Sequence, residues 1–156
     1  RVLAVDTHAD EQQAAELGVI ITDAKTLLRE SDVISNHMNL TAENWHFFDD
    51  AGFAAMEKHP IFLNVSRGGS VDEAALVRAL DNGLIRAAGL DVLEAEKPDL
   101  EKCALIGREN VILTPHAAFY SARSIEALQR MSCHNLTDCL TGNRAHAFKI
   151  VNGVSI

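Results

Sequence analysis

The stretch PIFLNVSRGGSVDEAALVRALDNG, residues 60–83, joins an apolar run directly to a helix-forming run. The apolar run PIFLNV predicts a β-strand covered on both faces, as the strands of parallel sheets are. The run SVDEAALVRALDNG predicts an α-helix, because acidic residues occupy its first turn and Gly83 follows its end. A strand that leads into a helix is the repeating unit of α/β folds.

The same alternation of strand and helix continues through the rest of the chain. Short apolar runs predict strands, and runs of helix formers closed by glycine predict helices. This order predicts an α/β fold with a doubly wound parallel sheet, in which ligands bind at the carboxyl ends of the strands. The predicted strands are RVLAVD, VIIT, DVISNH, PIFLNV, AAGLDV and NVILT, and the predicted helices are HADEQQAAELG, DAKTLLRES, one or two pieces within residues 41–59, SVDEAALVRALDNG and residues 121–140.

The composition argues against several classes of function. With 14 basic and 22 acidic residues, the net charge is −8, which repels phosphate backbones and anionic membrane surfaces. No apolar run reaches the roughly 18 residues of a membrane span. Cys103, Cys133 and Cys139 form no Cys-x-x-Cys pair, which predicts reduced thiols. We therefore expect a cytoplasmic protein that binds neither nucleic acid nor a membrane.

One arginine stands where the predicted strand PIFLNV ends. Arg67 precedes Gly68 and Gly69, which allow the backbone to pass close to a ligand. A guanidinium at this point can bind a carboxylate through two parallel hydrogen bonds. The spacing also fits a surface ion pair with Asp72 or Glu73, so both interpretations stay open at this point.

A histidine and a glutamate follow two other predicted strands. His116 lies in TPHAAFYS, just after NVILT, and histidine is the usual proton donor near neutral pH. Glu96, in DVLEAEKP, could hydrogen-bond this imidazole, orient it and raise its pKa. The alternatives are a core histidine bonded to the backbone and a solvated loop carboxylate.

Two aspartates also lie at predicted strand ends. Asp6 closes the first strand, where a carboxylate can accept hydrogen bonds from both ribose hydroxyls of an adenine dinucleotide. An amino-terminal helix cap is the alternative for Asp6. Asp91 ends AAGLDV, where it can meet a carboxamide or form a turn. The remaining histidines show no His-x-x-x-His spacing, so no metal site is predicted.

Three stretches together resemble the D-isomer-specific 2-hydroxyacid dehydrogenases, the family of phosphoglycerate, D-lactate and glyoxylate/hydroxypyruvate enzymes. They are SDVISNHMNLTAEN, FLNVSRGGSVDEAALVRALDNGLIRAAGLDVLEAEKP and NVILTPHAAFYS, in the family's order and spacing. The resemblance implies a Rossmann-like domain that binds NAD and interconverts a small-molecule 2-keto acid and a D-2-hydroxy acid. It also implies a homodimer.

The resemblance assigns roles to individual residues. It implies that Arg67 binds the substrate carboxylate and helps to polarise the carbonyl. It implies that His116 is the general acid/base and that Glu96 is its partner. It further implies that Asp91 neighbours the nicotinamide and that Asp6 holds the adenosine ribose.

The chain also departs from the family. Asn39, which the resemblance places with Arg67 and His116 among the cofactor-binding residues, replaces a usual proline. The glycine-rich G-x-G-x-x-G, the strand before it and the amino-terminal substrate domain are absent from residues 1–156. We therefore expect a partial dinucleotide-binding domain, a fragment of a longer protein that is inactive alone. Loss of a central first strand would leave unpaired backbone on two inner edges.

A binding protein on the same fold is the alternative function. Corepressors that resemble these enzymes bind NAD(H) for regulation, and a fold alone does not separate them from enzymes. The presence of Arg67, Glu96 and His116 together favours the enzyme. It does not decide the matter, because such corepressors can retain all three residues.

Overall fold

Strands and helices alternate along the chain in the predicted order. The computed structural model describes residues 1–143. A short 3₁₀ helix at Gly68–Ser70, which the sequence did not predict, stands before the fourth α-helix. The elements are β1 (Val2–Ala4), α1 (Glu11–Glu16), β2 (Val19–Ile21), α2 (Ala24–Glu30), β3 (Val33–Asn36), α3 (Asp50–Ala54), β4 (Ile61–Asn64), α4 (Glu73–Asp81), β5 (Ala87–Leu90), β6 (Val111–Leu113) and α5 (Ala122–Leu140).

Aspartate side chains begin the first four α-helices. Asp10, Asp23 and Asp49 each accept a hydrogen bond from the backbone N–H three residues later. Asp72 accepts two such bonds at the start of α4. These bonds satisfy donors that a helix start otherwise leaves unpaired. Gly83 follows α4 with φ of +68°, which glycine adopts without a steric penalty.

The strands form two parallel sheets. β1 pairs with β2, while β3, β4, β5 and β6 pair in that order. Among the described residues, β1 and β3 therefore each bond a neighbouring strand on one side only. The predicted α/β fold with parallel strands is confirmed. Because β2 and β6 are edge strands as well, the expectation of two unpaired inner edges stays a prediction.

The hydrophobic core lies between the four-stranded sheet and the helices α3 and α4. Phe53 and Phe62 are fully buried, and their ring centroids lie 5.4 Å apart in an edge-to-face arrangement. Phe48 makes a second edge contact with Phe62, at 4.8 Å. The buried face of α4 consists of Ala75, Leu76, Ala79 and Leu80. This core holds the end of β4, from which the Arg67 segment leaves.

The two faces of the four-stranded sheet are covered unevenly. β4 buries Phe62 and Asn64, whereas Ile61 and Leu63 on its opposite face are only partly buried. Val33 of β3 and Ile112 of β6 are exposed. The prediction that PIFLNV is covered on both faces therefore holds only in part, because α3 and α4 bury their apolar residues in the same core cluster.

Residues 1–116 form one compact unit, and the residues from Ala117 onward belong to a second. The described part of the second unit contains α5, which begins with a capping box. Ser121 accepts a hydrogen bond from the backbone N–H of Ser124, and Ser124 accepts one from the backbone N–H of Ser121. Among residues 1–143, no helix combines the length and the apolar character needed to cross a membrane.

Candidate active site

Backbone hydrogen bonds connect the carboxyl ends of β4, β5 and β6. The N–H of Asp91 donates to the carbonyl of Asn64 at 2.9 Å, and the N–H of His116 donates to the carbonyl of Asp91 at 2.8 Å. Because the three strands are parallel and in register, their exits lie side by side. The segments that carry Arg67, Asp91 and His116 therefore share one edge of the sheet.

Arg67 is exposed and forms no ion pair with its acidic neighbours in sequence. Its Nη1 donates a hydrogen bond to the carbonyl of Ser66 at 2.9 Å. Asp72 instead caps α4, and Glu73 accepts a hydrogen bond from the backbone N–H of Glu94. The surface ion pair that the spacing allowed is thus not formed. The guanidinium therefore retains N–H groups that can donate hydrogen bonds to an anion.

The two glycines after Arg67 are required by the protein itself. A Cβ at Gly68 would lie 1.8 Å from the carbonyl oxygen of Leu93, and one at Gly69 would lie 2.4 Å from the ring of Trp45. That these glycines also make room for a ligand stays a prediction. The close neighbours are the backbone after β5 and a tryptophan ring, so the glycines bring the Arg67 segment against the loop that carries Glu96.

His116 faces Glu96 across a short gap. The distance between His116 Nδ1 and Glu96 Oε2 is 3.7 Å, which suits an ion pair of a protonated imidazole but exceeds a hydrogen bond. The His116 side chain is 44% exposed, so it is not a core histidine. Its φ of 53° lies in the left-handed region, a strained conformation often found at functional sites.

A cavity of about 600 Å³ adjoins this pair. Its apolar wall includes Leu100, Leu105 and Ile106, and Glu96 and His116 lie on its lining. A concave apolar site with a few polar groups is the usual form of a small-molecule site. The His116 imidazole therefore has the apolar wall of the cavity on one side and the Glu96 carboxylate near it.

Asp91 is buried at the junction of β5 and β6. It is 4% exposed, and its Oδ1 accepts a hydrogen bond from the hydroxyl of Thr114 at 2.5 Å. The buried carboxylate of Asp91 is thus held at the edge of the sheet that also carries the Arg67 and His116 segments.

Asp6 lies after β1, on the two-stranded sheet. Its Oδ1 accepts a hydrogen bond from the N–H of His8 at 2.7 Å, whereas Asp10 caps α1. The helix-cap alternative for Asp6 is therefore wrong. Asp6 is exposed and borders a shallow pocket of about 200 Å³ that also includes Ala9 and Gln13.

Asn39 follows β3 and lies beside the Arg67 segment. Its carbonyl accepts a hydrogen bond from the Asn44 side chain at 2.6 Å. The carbonyl of the preceding residue, Met38, accepts a hydrogen bond from the Ser66 hydroxyl at 2.5 Å. The exits of β3 and β4 are thus joined, and Asn39 lies at the same edge as Arg67.

Sequence reasoning missed a contact of the loop that carries Glu96. His46 Nε2 lies 3.3 Å from Glu94 Oε1, and the His46 ring stacks on Trp45 with centroids 4.9 Å apart. The backbone N–H of His46 donates to the carbonyl of Gly69 at 2.9 Å. No spacing rule pairs His46 with Glu94, because they meet only after β4 and β5 have paired.

The fold and this edge define a class, the nucleotide-binding domains built on a parallel α/β sheet with ligand groups at its strand ends. Residues 1–118 match the family model described as the D-isomer specific 2-hydroxyacid dehydrogenase, NAD binding domain. The chain belongs to this family.

Relatives by sequence include a glyoxylate reductase of Korarchaeum cryptofilum, 40% identical over 87% of this chain and 41% of the relative. The D-lactate dehydrogenase of Escherichia coli is 35% identical over 91% of the chain and 46% of its own length. The chain thus spans less than half the length of these relatives.

Solved structures show the same fold. The D-lactate dehydrogenase of Lactobacillus jensenii with NAD⁺ matches with a TM-score of 0.85 and 32% identity, over 97% of this chain and 48% of that one. The D-lactate dehydrogenase of Aquifex aeolicus with NAD and lactic acid matches with a TM-score of 0.84 and 32% identity, over 92% of this chain and 47% of that one. The Rossmann-like fold is confirmed.

The residues present fit NAD at two places. Asp6 offers an exposed carboxylate beside a shallow pocket, as an adenosine ribose requires, and Asp91 offers a buried carboxylate at the sheet edge. In NAD, a pyrophosphate joins the adenosine part to the nicotinamide part. The sequence of residues 1–156 contains no glycine-rich loop for that group.

Proposed function

We propose that this chain is the nucleotide-domain part of an NAD-dependent enzyme that interconverts a 2-keto acid and a D-2-hydroxy acid. One observation supports it above all. The exposed Arg67 guanidinium, free of ion pairs with its acidic neighbours, shares a sheet edge with the His116–Glu96 pair. An anion-binding group beside a proton donor is what a keto acid requires.

Each residue of this edge has a defined task in the proposed reaction. Arg67 binds the carboxylate of the keto acid through its guanidinium fork. Glu96 faces Nδ1 of His116 and orients the ring, and the imidazole donates a proton to the carbonyl oxygen. The positive charge of both side chains stabilises the oxygen as it becomes an alkoxide.

Asp6, Asn39 and Asp91 are the residues that would hold NAD in this proposal. When bound, the nicotinamide supplies the hydride that reaches the carbonyl carbon. Asp91 orients the cofactor through its carboxamide, and Asp6 selects the ribose hydroxyls. The cavity beside His116 offers apolar surface next to the imidazole.

The proposal includes a further parallel strand, not contained in residues 1–156, that pairs with both β1 and β3. Its support is that these two strands each lack a partner on one side among the described residues. A polypeptide that supplies this strand and a glycine-rich turn would complete the pyrophosphate site. Residues 1–156 are accordingly a partial dinucleotide-binding domain, inactive alone. NADH binding by the chain, measured with and without such a longer polypeptide, tests this point.

The central test is turnover of NADH with a panel of 2-keto acids. Arg67→Ala in the completed enzyme should reduce kcat/KM by at least about 100-fold, as for loss of one preorganised charged donor, while NADH binding persists. Arg67→Lys should recover only part of this loss, because lysine lacks the bidentate fork. Unchanged turnover in Arg67→Ala would refute the role. NADH binding without turnover of any keto acid would favour a regulatory protein.

We further propose a homodimer in the cytoplasm. The family resemblance supports the dimer, and the free thiols of Cys103, Cys133 and Cys139 suit a reducing compartment. Light scattering of the purified protein should give twice the mass of one chain. A monomer at all concentrations would contradict the dimer.

A further inference from the structure

A buried polar cluster lies directly behind the Arg67 segment. Its members are Asn36 at the end of β3, Asn64 at the end of β4 and Ser70 in the 3₁₀ helix. Their relative exposures are 2%, 1% and 0%. Because a buried amide or hydroxyl is costly unless it is hydrogen-bonded, such a cluster is stable only in one mutually satisfied arrangement.

Asn36 joins the other two members. Its Nδ2 donates to Asn64 Oδ1 at 3.0 Å and to Ser70 Oγ at 2.7 Å, which uses both of its amide hydrogens. Its Oδ1 accepts a hydrogen bond from the backbone N–H of Met38 at 3.1 Å. Both amide hydrogens of Asn36 and one acceptor site of its oxygen are therefore used within the protein, and its side chain is buried.

The cluster converges on the backbone of Arg67. Asn64 Nδ2 donates to the Arg67 carbonyl at 3.1 Å, and Ser70 Oγ donates to the same oxygen at 2.7 Å. Asn64 Oδ1 also accepts from the N–H of Ser66 at 3.2 Å. The peptide group that follows Arg67 and the one that precedes Ser66 are thus held from within the core.

The Arg67 side chain is held by few contacts of its own among the described residues. Its guanidinium is exposed, and its described hydrogen bond goes only to the carbonyl of the adjacent Ser66. The direction in which the guanidinium leaves the protein is therefore set mainly by the backbone of Arg67, and that backbone is set by Asn64 and Ser70.

We propose that Asn36 is a positioning residue for Arg67. Asn36 fixes the orientation of the Asn64 amide and the Ser70 hydroxyl, so that both donate to the Arg67 carbonyl and hold the guanidinium in a carboxylate-binding position. The inference rests on the proposed function of Arg67. Asn36 itself touches neither substrate nor cofactor.

The experiment compares Asn36→Leu with Ile34→Ala. Leucine has the same branched skeleton as asparagine, with larger methyl groups in place of the amide oxygen and nitrogen, and it offers no hydrogen bond. Asn64, Ser70 and the Met38 N–H therefore lose their contact with residue 36. Ile34 lies two residues earlier on β3, is also buried, and touches the apolar core instead of the cluster. Ile34→Ala therefore controls for lost stability alone. Ser70→Ala is a second variant, which removes one donor to Arg67 directly.

The first measurement is ¹⁵N relaxation of the backbone amides of residues 66–69 in the 156-residue chain. In Asn36→Leu and Ser70→Ala, order parameters there should fall from about 0.85 toward 0.6, while they stay unchanged in Ile34→Ala. If Asn36→Leu leaves these amides rigid, or if Ile34→Ala mobilises them equally, the positioning role is overturned.

The second measurement is the dissociation constant of oxamate, a small carboxylate probe, followed by the Arg67 Nε–Hε resonance with NADH present. Asn36→Leu should weaken binding by about fivefold, the factor expected for one neutral hydrogen bond, and Ile34→Ala by less than about twofold. Equal affinity in Asn36→Leu and the wild type would overturn the inference. If oxamate does not shift the Arg67 Nε–Hε resonance of the wild-type chain, the proposal that Arg67 of this chain binds a carboxylate is refuted. The relaxation measurement still decides whether Asn36 positions Arg67.

Discussion

The four-stranded and two-stranded sheets arise from the same kind of sequence but differ in burial. β3, β4 and β5 each bury alternate residues against α3 and α4. By contrast, β1, α1 and β2 contain no fully buried residue. A two-stranded sheet is only marginally stable by itself. Apolar runs therefore specify strands in both regions, but only the first region gains a core of its own.

The largest expected effect concerns the core of the four-stranded sheet. Phe62→Ala should lower the free energy of unfolding by about 3–5 kcal/mol, because it leaves a cavity among fully buried rings. Leu3→Ala in β1 should cost about 1 kcal/mol or less, since Leu3 is only partly buried. Urea unfolding followed by circular dichroism measures both.

A similar loss of unfolding free energy in the two variants would contradict the difference between the two sheets. It would mean that the two-stranded sheet is as tightly held as the four-stranded one. Phe62→Leu is a milder truncation, and it replaces Phe62→Ala in the measurement if Phe62→Ala does not fold.

A smaller effect is expected at the contact between the Arg67 segment and the Glu96 loop. Gly68→Ala should destabilise the chain by about 3 kcal/mol, the upper range for overpacking, because the added methyl group overlaps the Leu93 backbone. Gly83→Ala is the control, since its Cβ would meet open space and only the positive φ opposes it, at about 1 kcal/mol. Thermal melting of both variants makes the comparison. Equal losses would show that the Gly68 contact is not tight.

The smallest effect is expected at the surface ion pair between α3 and α4. Arg78 donates two hydrogen bonds to Asp50, at 2.8 and 2.7 Å, and this holds the pKa of the Asp50 carboxyl below its ordinary value of 3.8. A depressed folded-state pKa means that the unfolded chain binds protons more readily. The stabilisation by Asp50 is therefore complete above about pH 4 and is lost as the pH falls through the folded-state pKa.

Asp50→Asn tests this assignment by urea unfolding at pH 7 and pH 3. The variant should be slightly less stable than the wild type at pH 7. The gap should shrink at pH 3, because the unfolded wild-type chain then binds a proton at this carboxyl more readily than the folded chain does. A gap that is independent of pH would show that the ion pair contributes nothing.

The residues of the candidate site also divide between the two sheets. Arg67, Asp91, Glu96 and His116 all leave strands of the well-packed sheet or the loops between them, whereas Asp6 follows β1 of the poorly packed sheet. Residues that bind and protonate a substrate need a rigid support. The proposed ribose-binding residue Asp6 lies on the region that a further paired strand would pack against.

Most elements of the fold were predictable from the sequence because their signals are local. Aspartate caps, glycine stops and short apolar runs lie within the segments that they define, as Asp72 and Gly83 do for α4. The short 3₁₀ helix was not predictable, since its shape depends on Gly68 lying against Leu93, far away in sequence.

The candidate site was predictable in part. Arg67, Glu96 and His116 stand at strand exits in motifs that the family shares, so sequence and resemblance were enough to choose them. The choice between an ion-paired and an available Arg67 needed the structure, because it depends on Asp72 and Glu73 having other partners.

The sequence by itself determined the order of strands and α-helices, the segment in which each lies, and which polar residues stand at the strand exits. These properties depend on neighbours a few positions apart. The tertiary structure decided the partners of Asn36, which lie 28 and 34 positions away, and the unpaired sides of β1 and β3. The physical reason is that such contacts form only when distant strands pair, and their energy belongs to the pair rather than to either residue.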